Sequence, residues 1–199
     1  REGLEAGLLS RGLSLLALGR LGFGEMQPRS DADLVCAKRE AWVLPGDPDH
    51  SALVEGRFLR ALASSLTAVT RHGALYPVDL RLRPYGDSGA PVSSLAALEE
   101  YFAGPARLWE RLAYLKGRVV AGDAGSGEEA LRSVWRCTLE RGVPAEEVPN
   151  LLELRDKLAA AAPDFEGRVK FAPGGLLHLD LLALVLQVRA GLSPARGGT

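Results

Sequence analysis

The stretch RSDADLV, Arg29 to Val35, places two aspartates one residue apart and runs straight into apolar residues. Successive strand side chains point to opposite faces, so Asp31 and Asp33 share one face while Ala32 and Leu34 share the other. Two carboxylates so close repel each other, and aspartate is a poor strand former. Propensity and charge both disfavour the pair unless a cation sits between them. A divalent metal removes both objections; a strand start or turn whose acids merely face water is the alternative.

A second acid lies in YPVDLRLRP, Tyr76 to Pro84, which alternates Val78, Leu80 and Leu82 with Asp79, Arg81 and Arg83. This period of two predicts a strand with Asp79 on the face of the two arginines. If that strand neighbours the first, Asp31, Asp33 and Asp79 converge. Such hard oxygen ligands suit Mg²⁺, which takes a few carboxylates and shares substrate phosphates. Two such ions would give the two-metal arrangement of phosphoryl and nucleotidyl transfer. Glycines ahead of Ser30 offer backbone N–H groups to phosphates, and Arg81 and Arg83 can bind the same anion bidentately. Each element has a plainer reading: glycine-rich loops are common, and alternating arginines often form a solvated face.

The elements that must position these residues follow from periodicity. The apolar run SLLALG, Ser14 to Gly19, reads as a buried strand entering a flexible loop at Gly19, Gly22 and Gly24, with Asp31 to Ala37 as its partner. After a loop around Pro45 to Pro48, Leu53, Leu59, Leu62, Leu66 and Val69 predict a helix from Ser51 to His72, stopped by Gly73. Further helices are expected at Leu95 to Phe102, Arg107 to Val120, Gly127 to Arg141 and Ala145 to Ala161. An extended piece RVKF, a turn APGG and an apolar core helix from Leu176 follow. Glycine and charge in AGDAGSGEE mark an expected boundary between a sheet-containing core, residues 1–123, and a helical C-terminal part, residues 124–199, with a disordered tail near 193–199.

A chain of 199 residues has room for one sizeable core. Its net charge of -1 removes the general electrostatic argument for a nucleic-acid or membrane binder. Leu176 to Val188 is interrupted by His178 and Asp180 and is shorter than the ~20 residues of a membrane span. Two cysteines cannot build a disulfide framework; Cys36 reads as a buried free thiol, which suits a cytoplasmic location. The opening REGLEAGLLS has neither an initiator Met nor a long apolar leader, and reads as a piece of a longer protein.

Four motifs, LGRLGFGEMQPRSDADLV, YPVDLRLRPYGDSGAPVSSLAALEEYF, WERLAYLKGRVVAGD and VKFAPGGLLHLDLL, span nearly the whole chain. Through them it resembles the glutamine synthetase adenylyltransferases (glutamate-ammonia-ligase adenylyltransferases) of the polymerase-β-like nucleotidyltransferase superfamily. The resemblance implies an α+β fold, a mixed sheet with flanking helices plus a helical C-terminal part. It implies metal ligation by Asp31, Asp33 and Asp79, with Mg²⁺ or alternatively Mn²⁺, and matches Gly22 and Ser30 to the family's glycine and serine before the acid pair. Gly24, Arg81 and Arg83 are the accompanying nucleotide or phosphate candidates; Lys116 and Arg118, expected on the WERLAYLKGR helix, are candidates for anion or partner contact. Full-length relatives carry two such domains, one adenylylating a tyrosine of glutamine synthetase with ATP and one removing the AMP with phosphate to release ADP. RPYGDSG and WERLAYLKGR look closer to the removing half. A signalling protein of PII type is an expected partner of the full-length enzyme.

The chain departs from the family at Phe23, where a small residue is usual, at Pro28-Arg29, and at Leu177-His178-Leu179-Asp180, which replaces Arg-Asp-x-Glu. The bulky ring would narrow a phosphate loop or shift it to Gly24, and His178 reads as a packed or end-exposed histidine rather than a ligand. A weakly active nucleotide-binding regulatory domain, and a uridylyltransferase-like relative, remain as alternatives.

Overall fold

The apolar run at 13–17 forms the inner strand of a sheet, as unbroken hydrophobicity does when both faces are covered. The computed structural model describes residues 12–26, 30–39, 48–71, 73, 76–161 and 169–194. The opening segment, Pro28-Arg29, Pro45, Arg168 and the end of the tail lie outside them. Strand β1 (Leu13–Ala17) lies between antiparallel neighbours β2 (Ala32–Lys38) and β5 (Arg118–Gly122). Strand β3 (Val78–Asp79) runs parallel to the start of β2, and β4 (Val92–Ser94) parallel to its end. The result is a mixed five-stranded sheet, order β3-β2-β1-β5 with β4 beside β2. With its helices it is of the α+β class.

Strand parity sorts the core. Leu16, Leu18, Val35 and Ala37 meet Leu98 and Phe102 of α3 (Leu95–Ala103) and Ala130, Leu131 and Val134 of α5 (Ala124–Arg141); Leu13, Cys36 and Val92 meet Leu59 of α2 (Pro48–Thr67) on the other face. Ser94 caps α3 by accepting from Ala97 N at 3.1 Å, and Asp123 caps α5 by accepting from Ser126 N at 2.9 Å. The cluster on the α5 face therefore runs across the residue 123/124 division. A second cluster joins Leu108, Leu112 and Leu115, on and just after α4 (Leu108–Tyr114), to Leu151 of α6 (Val148–Ala161) and Leu184 and Val188 of α7 (Leu176–Arg189). The short α1 (Gly19–Phe23) follows β1. Cys36 and Cys137 are buried free thiols, and burial pushes Cys36 up to about 12.

Four local expectations are corrected. The strand predicted over Tyr76 to Pro84 stops at Asp79, because Arg81 N donates back to Asp79 Oδ1 at 2.8 Å and Arg83 Nη1 to Leu80 O at 2.6 Å, closing the backbone into turns. Tyr114 Oη donates to Leu82 O at 3.0 Å and pins that turn to the core. The helix expected to reach Val120 ends at Tyr114, and Arg118 to Gly122 join the sheet as β5. RVKF is helical at 169–171 rather than extended. The last helix is no core helix along its length: Leu184 and Val188 are buried, but Leu176, Leu179, Leu182 and Leu186 are exposed.

Candidate functional site

The parallel register sets Asp33 directly beside Asp79, which puts both carboxylates on one face of the sheet. Backbone bonds on either side hold that edge: Leu18 N donates to Asp33 O at 2.9 Å and Ala32 N to Pro77 O at 2.7 Å. Asp31, exposed, sits just ahead of β2. Burial first, then the charges of Asp79 and Asp31, push Asp33 up to about 6, with Lys170 and Arg81 pulling the other way. Among the described residues, none donates a hydrogen bond to the Asp33 carboxylate.

Its neighbour is in the opposite state. Arg81 donates from Nε to both oxygens of Asp79 at 3.0 Å and from Nη2 to Oδ2 at 2.5 Å, in addition to the backbone bond. That side-chain bonding holds the Asp79 carboxyl below its ordinary value. Arg83, whose Nη1 is on Leu80 O, lies 3.5 Å from Asp87 through Nη2. The two arginines are thus engaged separately, rather than side by side on a strand.

Gly19, absent from the sequence candidates, makes room for the acid. A Cβ there would stand 2.4 Å from Asp33 Oδ2, and its φ of +54° is a conformation that favours glycine. Its only sequence signal is its place at the end of SLLALG. Gly22 serves packing, since a Cβ would stand 2.0 Å from Lys116 O, and its N–H donates to Leu18 O at 2.8 Å. Gly24 ends α1 with its N–H 3.3 Å from Leu21 O. The amides of both glycines are bonded to backbone carbonyls at α1. Phe23 is exposed, and Ser30 is half-buried immediately before Asp31.

Lys116 and Arg118 lie off the helix on which the sequence put them, between α4 and β5 and at the start of β5. Lys116 Nζ bonds Asp180 Oδ2 at 2.9 Å and stands 5.4 Å over the Phe23 ring; Arg118 donates to Leu21 O at 3.2–3.3 Å. His178 Nδ1 accepts from Gly174 N at 2.9 Å, a turn-closing contact. Lys170 is the residue the sequence reading missed. Half-buried, it interacts with Arg20, Asp31, Asp33 and Asp180, and burial pulls its pKa down.

A divalent cation fits this site in ligand type and charge: the donors are hard carboxylate oxygens, and Asp33 is raised by burial and by its acid neighbours and unserved by any described donor. Among the described residues, no three Asp, Glu, His or Cys side chains are already gathered as a metal-ligand group, and Arg81 occupies Asp79.

Residues 5–133 match the family model for glutamate-ammonia ligase adenylyltransferase. The chain is 36% identical over 188 residues, 92% of its length, to the bifunctional glutamine synthetase adenylyltransferase/adenylyl-removing enzyme of Stenotrophomonas maltophilia (strain R551-3), covering 20% of that protein. It is 36% identical over 190 residues to the protein of the same name from Chromobacterium violaceum, covering 94% of this chain and 20% of the relative. For Hahella chejuensis the identity is 33% over 184 residues, covering 90% and 19%. The chain spans about one-fifth of the length of the curated relatives it matches.

Proposed function

Because the chain belongs to the glutamate-ammonia ligase adenylyltransferase family, we propose that it carries a nucleotidyltransferase site, on a polymerase-β-like core, that adds AMP to or removes it from a tyrosine of glutamine synthetase in the cytoplasm. The observation that carries this reading is the Asp33–Asp79 register, with Asp31 near enough to raise Asp33 further. Asp31, Asp33 and Asp79 would hold Mg²⁺, or Mn²⁺ in its place. When bound, the ion polarises phosphoryl oxygens and lowers the pKa of the attacking group.

The chain's own residues do the rest. Gly19 lets the Asp33 carboxylate stand against α1, and Arg81 holds Asp79 ionised. Lys116, by fastening Asp180, closes the C-terminal part onto the edge of the site. The direction we favour is removal of AMP by phosphate, on the likeness of RPYGDSG and WERLAYLKGR to the removing half. Within the longer protein, a PII-type signal would set that direction. The second reading, a weakly active nucleotide-binding regulatory domain, is favoured by the hold of Arg81 on Asp79.

The test incubates the chain with adenylylated glutamine synthetase, phosphate and Mg²⁺, and separately with ATP and unmodified enzyme, reading the AMP mass on the tyrosine. Loss of AMP in the first reaction is expected. Mg²⁺-dependent nucleotide binding with no turnover in either would support the regulatory reading instead.

A further inference from the structure

Phe23, the ring that stands where a small residue is usual, ends α1 with its side chain 63% exposed. The same short helix borders the acid site. At its first residue, Gly19, a Cβ would stand 2.4 Å from Asp33 Oδ2, and Phe23 follows four residues later, about 6 Å further along the axis. Lys116 Nζ lies 5.4 Å from the centre of the ring and 2.9 Å from Asp180 Oδ2, so one ammonium joins Phe23 to the start of α7. There Leu176 stands one turn before Asp180 and Leu179 beside it, and the two leucines are 53% and 57% exposed.

Single apolar side chains in water are ordinary, but a ring and two leucines gathered around an ion pair have the make-up of a contact surface, apolar anchors with a charged rim. Their place decides what covers them. A tyrosine held in a folded protein reaches the Asp33–Asp79 edge only if the polypeptide around it lies against the surface that borders those acids, and α1 with the start of α7 is such a border. Two copies of this chain meeting here would bury on the order of 600 Å² through these side chains, about half of what a stable pair needs, whereas a transient enzyme–substrate contact needs less.

We propose that Phe23, Leu176 and Leu179 form the docking surface for the protein substrate, taking an apolar segment beside the target tyrosine of a glutamine synthetase subunit; this rests on the nucleotidyltransferase reading and assigns that site the contact that brings its target in.

The test measures binding of adenylylated glutamine synthetase by surface plasmon resonance, and of ADP by calorimetry, for the unmodified chain, Phe23→Ser, Leu179→Ser, the double variant and Leu186→Ser. Leu186 is equally exposed but lies about two turns beyond Leu179 along α7. Phe23→Ser and Leu179→Ser should each weaken glutamine synthetase binding about tenfold, and Leu186→Ser by less than about twofold. ADP affinity and the melting temperature should hold in all of them. Unchanged glutamine synthetase affinity in the double variant would overturn the inference alone. Parallel loss of ADP affinity would overturn it by placing Phe23 in the nucleotide site, and parallel loss of melting temperature by making these side chains structural. An equal loss in Leu186→Ser would overturn it by spreading the contact over the whole α7 face. A dimer in sedimentation equilibrium that the double variant dissolves would give the surface to a second copy instead. No glutamine synthetase binding by an unmodified chain that binds ADP would overturn the inference and leave the nucleotide site standing; binding of neither would overturn the proposed function with it.

Discussion

Arg111 is fully buried and Asp33 half-buried, and the charges around the two are arranged in opposite ways. Arg111, fully buried, donates from Nη1 to Gly142 O at 2.8 Å and from Nη2 to Glu147 Oε1 at 3.2 Å; Glu147 Oε2 accepts from Leu108 N at 2.7 Å. Glu110 accepts from Tyr101 Oη at 2.8 Å and from Arg107 N at 2.9 Å. Every carboxylate there has a donor, and the knot ties α4 to the start of α6. At Asp33 burial and the charges of Asp79 and Asp31 outweigh the opposite pull of Lys170 and Arg81, and no described group donates to its carboxylate. A buried charge is tolerated when it is paired and bonded. In the first cluster the fold itself supplies a donor to each carboxylate, with Arg111 Nε the one atom of the knot left buried without a partner among the described residues, and the second leaves a carboxylate whose demand a ligand can meet.

The largest expected effect comes from breaking the closed cluster. Arg111→Ala leaves Glu147 without its buried partner and should cost about 3–5 kcal/mol in urea denaturation. A loss below about 1 kcal/mol would erase the contrast between the two clusters. Gly22→Ala probes the ground beneath the open site without changing charge. Its methyl group would meet backbone at Lys116 O and Ala17 O, and overpacking of that kind costs about 1–3 kcal/mol. Wild-type stability in that variant would mean that α1 is free to move away. Arg81→Ala should have the smallest effect on folding, under about 1 kcal/mol, because Arg81 is 71% exposed. Its consequence is electrostatic: the Asp79 carboxyl should rise, visible by NMR titration, making the two neighbouring acids alike. An unchanged Asp79 titration would show that Arg81 is not what separates them.

Much of the frame around these clusters was legible before any coordinates. SLLALG and the apolar residues after Asp33 read as covered strands, and the stripe on α4 and the leucine spacing on α2 as far as Leu66 follow from period, although the helix stops at Thr67, short of Val69, which is exposed with Leu53. The misreadings share a cause, local bonds that compete with period. LRLRP alternates as a strand would, yet Asp79 bonds the amide two residues on and turns the chain. Val119 falls one helical turn after Leu115 and so continued a helical stripe, although it belongs to β5. The acids of the candidate site were visible as types and spacing. Gly19 and Lys170 were not: Gly19 is marked by the Asp33 carboxylate that stands where its Cβ would be, and Lys170, in the turn ahead of α7, by burial and by charges remote from it in sequence.

Asp33 also carries a pH signature of fixed sign. Its folded value, about 6, lies above the ordinary carboxylate value, so between the two the folded chain binds more protons than the unfolded one. Stability contributed by this group therefore falls as pH rises through that window, and the destabilisation is complete above it. The most direct measurement follows the melting of the unmodified chain and of Asp33→Asn, at about pH 8 and about pH 4, with and without Mg²⁺. Asp33→Asn is expected to be the more stable by about 1–2 kcal/mol at the higher pH without metal, after allowing for solvent screening, and near equal at the lower. Mg²⁺ should raise the melting temperature of the unmodified chain at the higher pH and leave that of the variant unmoved. A variant less stable at both pH values, with its response to Mg²⁺ intact, would make Asp33 a structural acid and contradict the open cluster as a cation site.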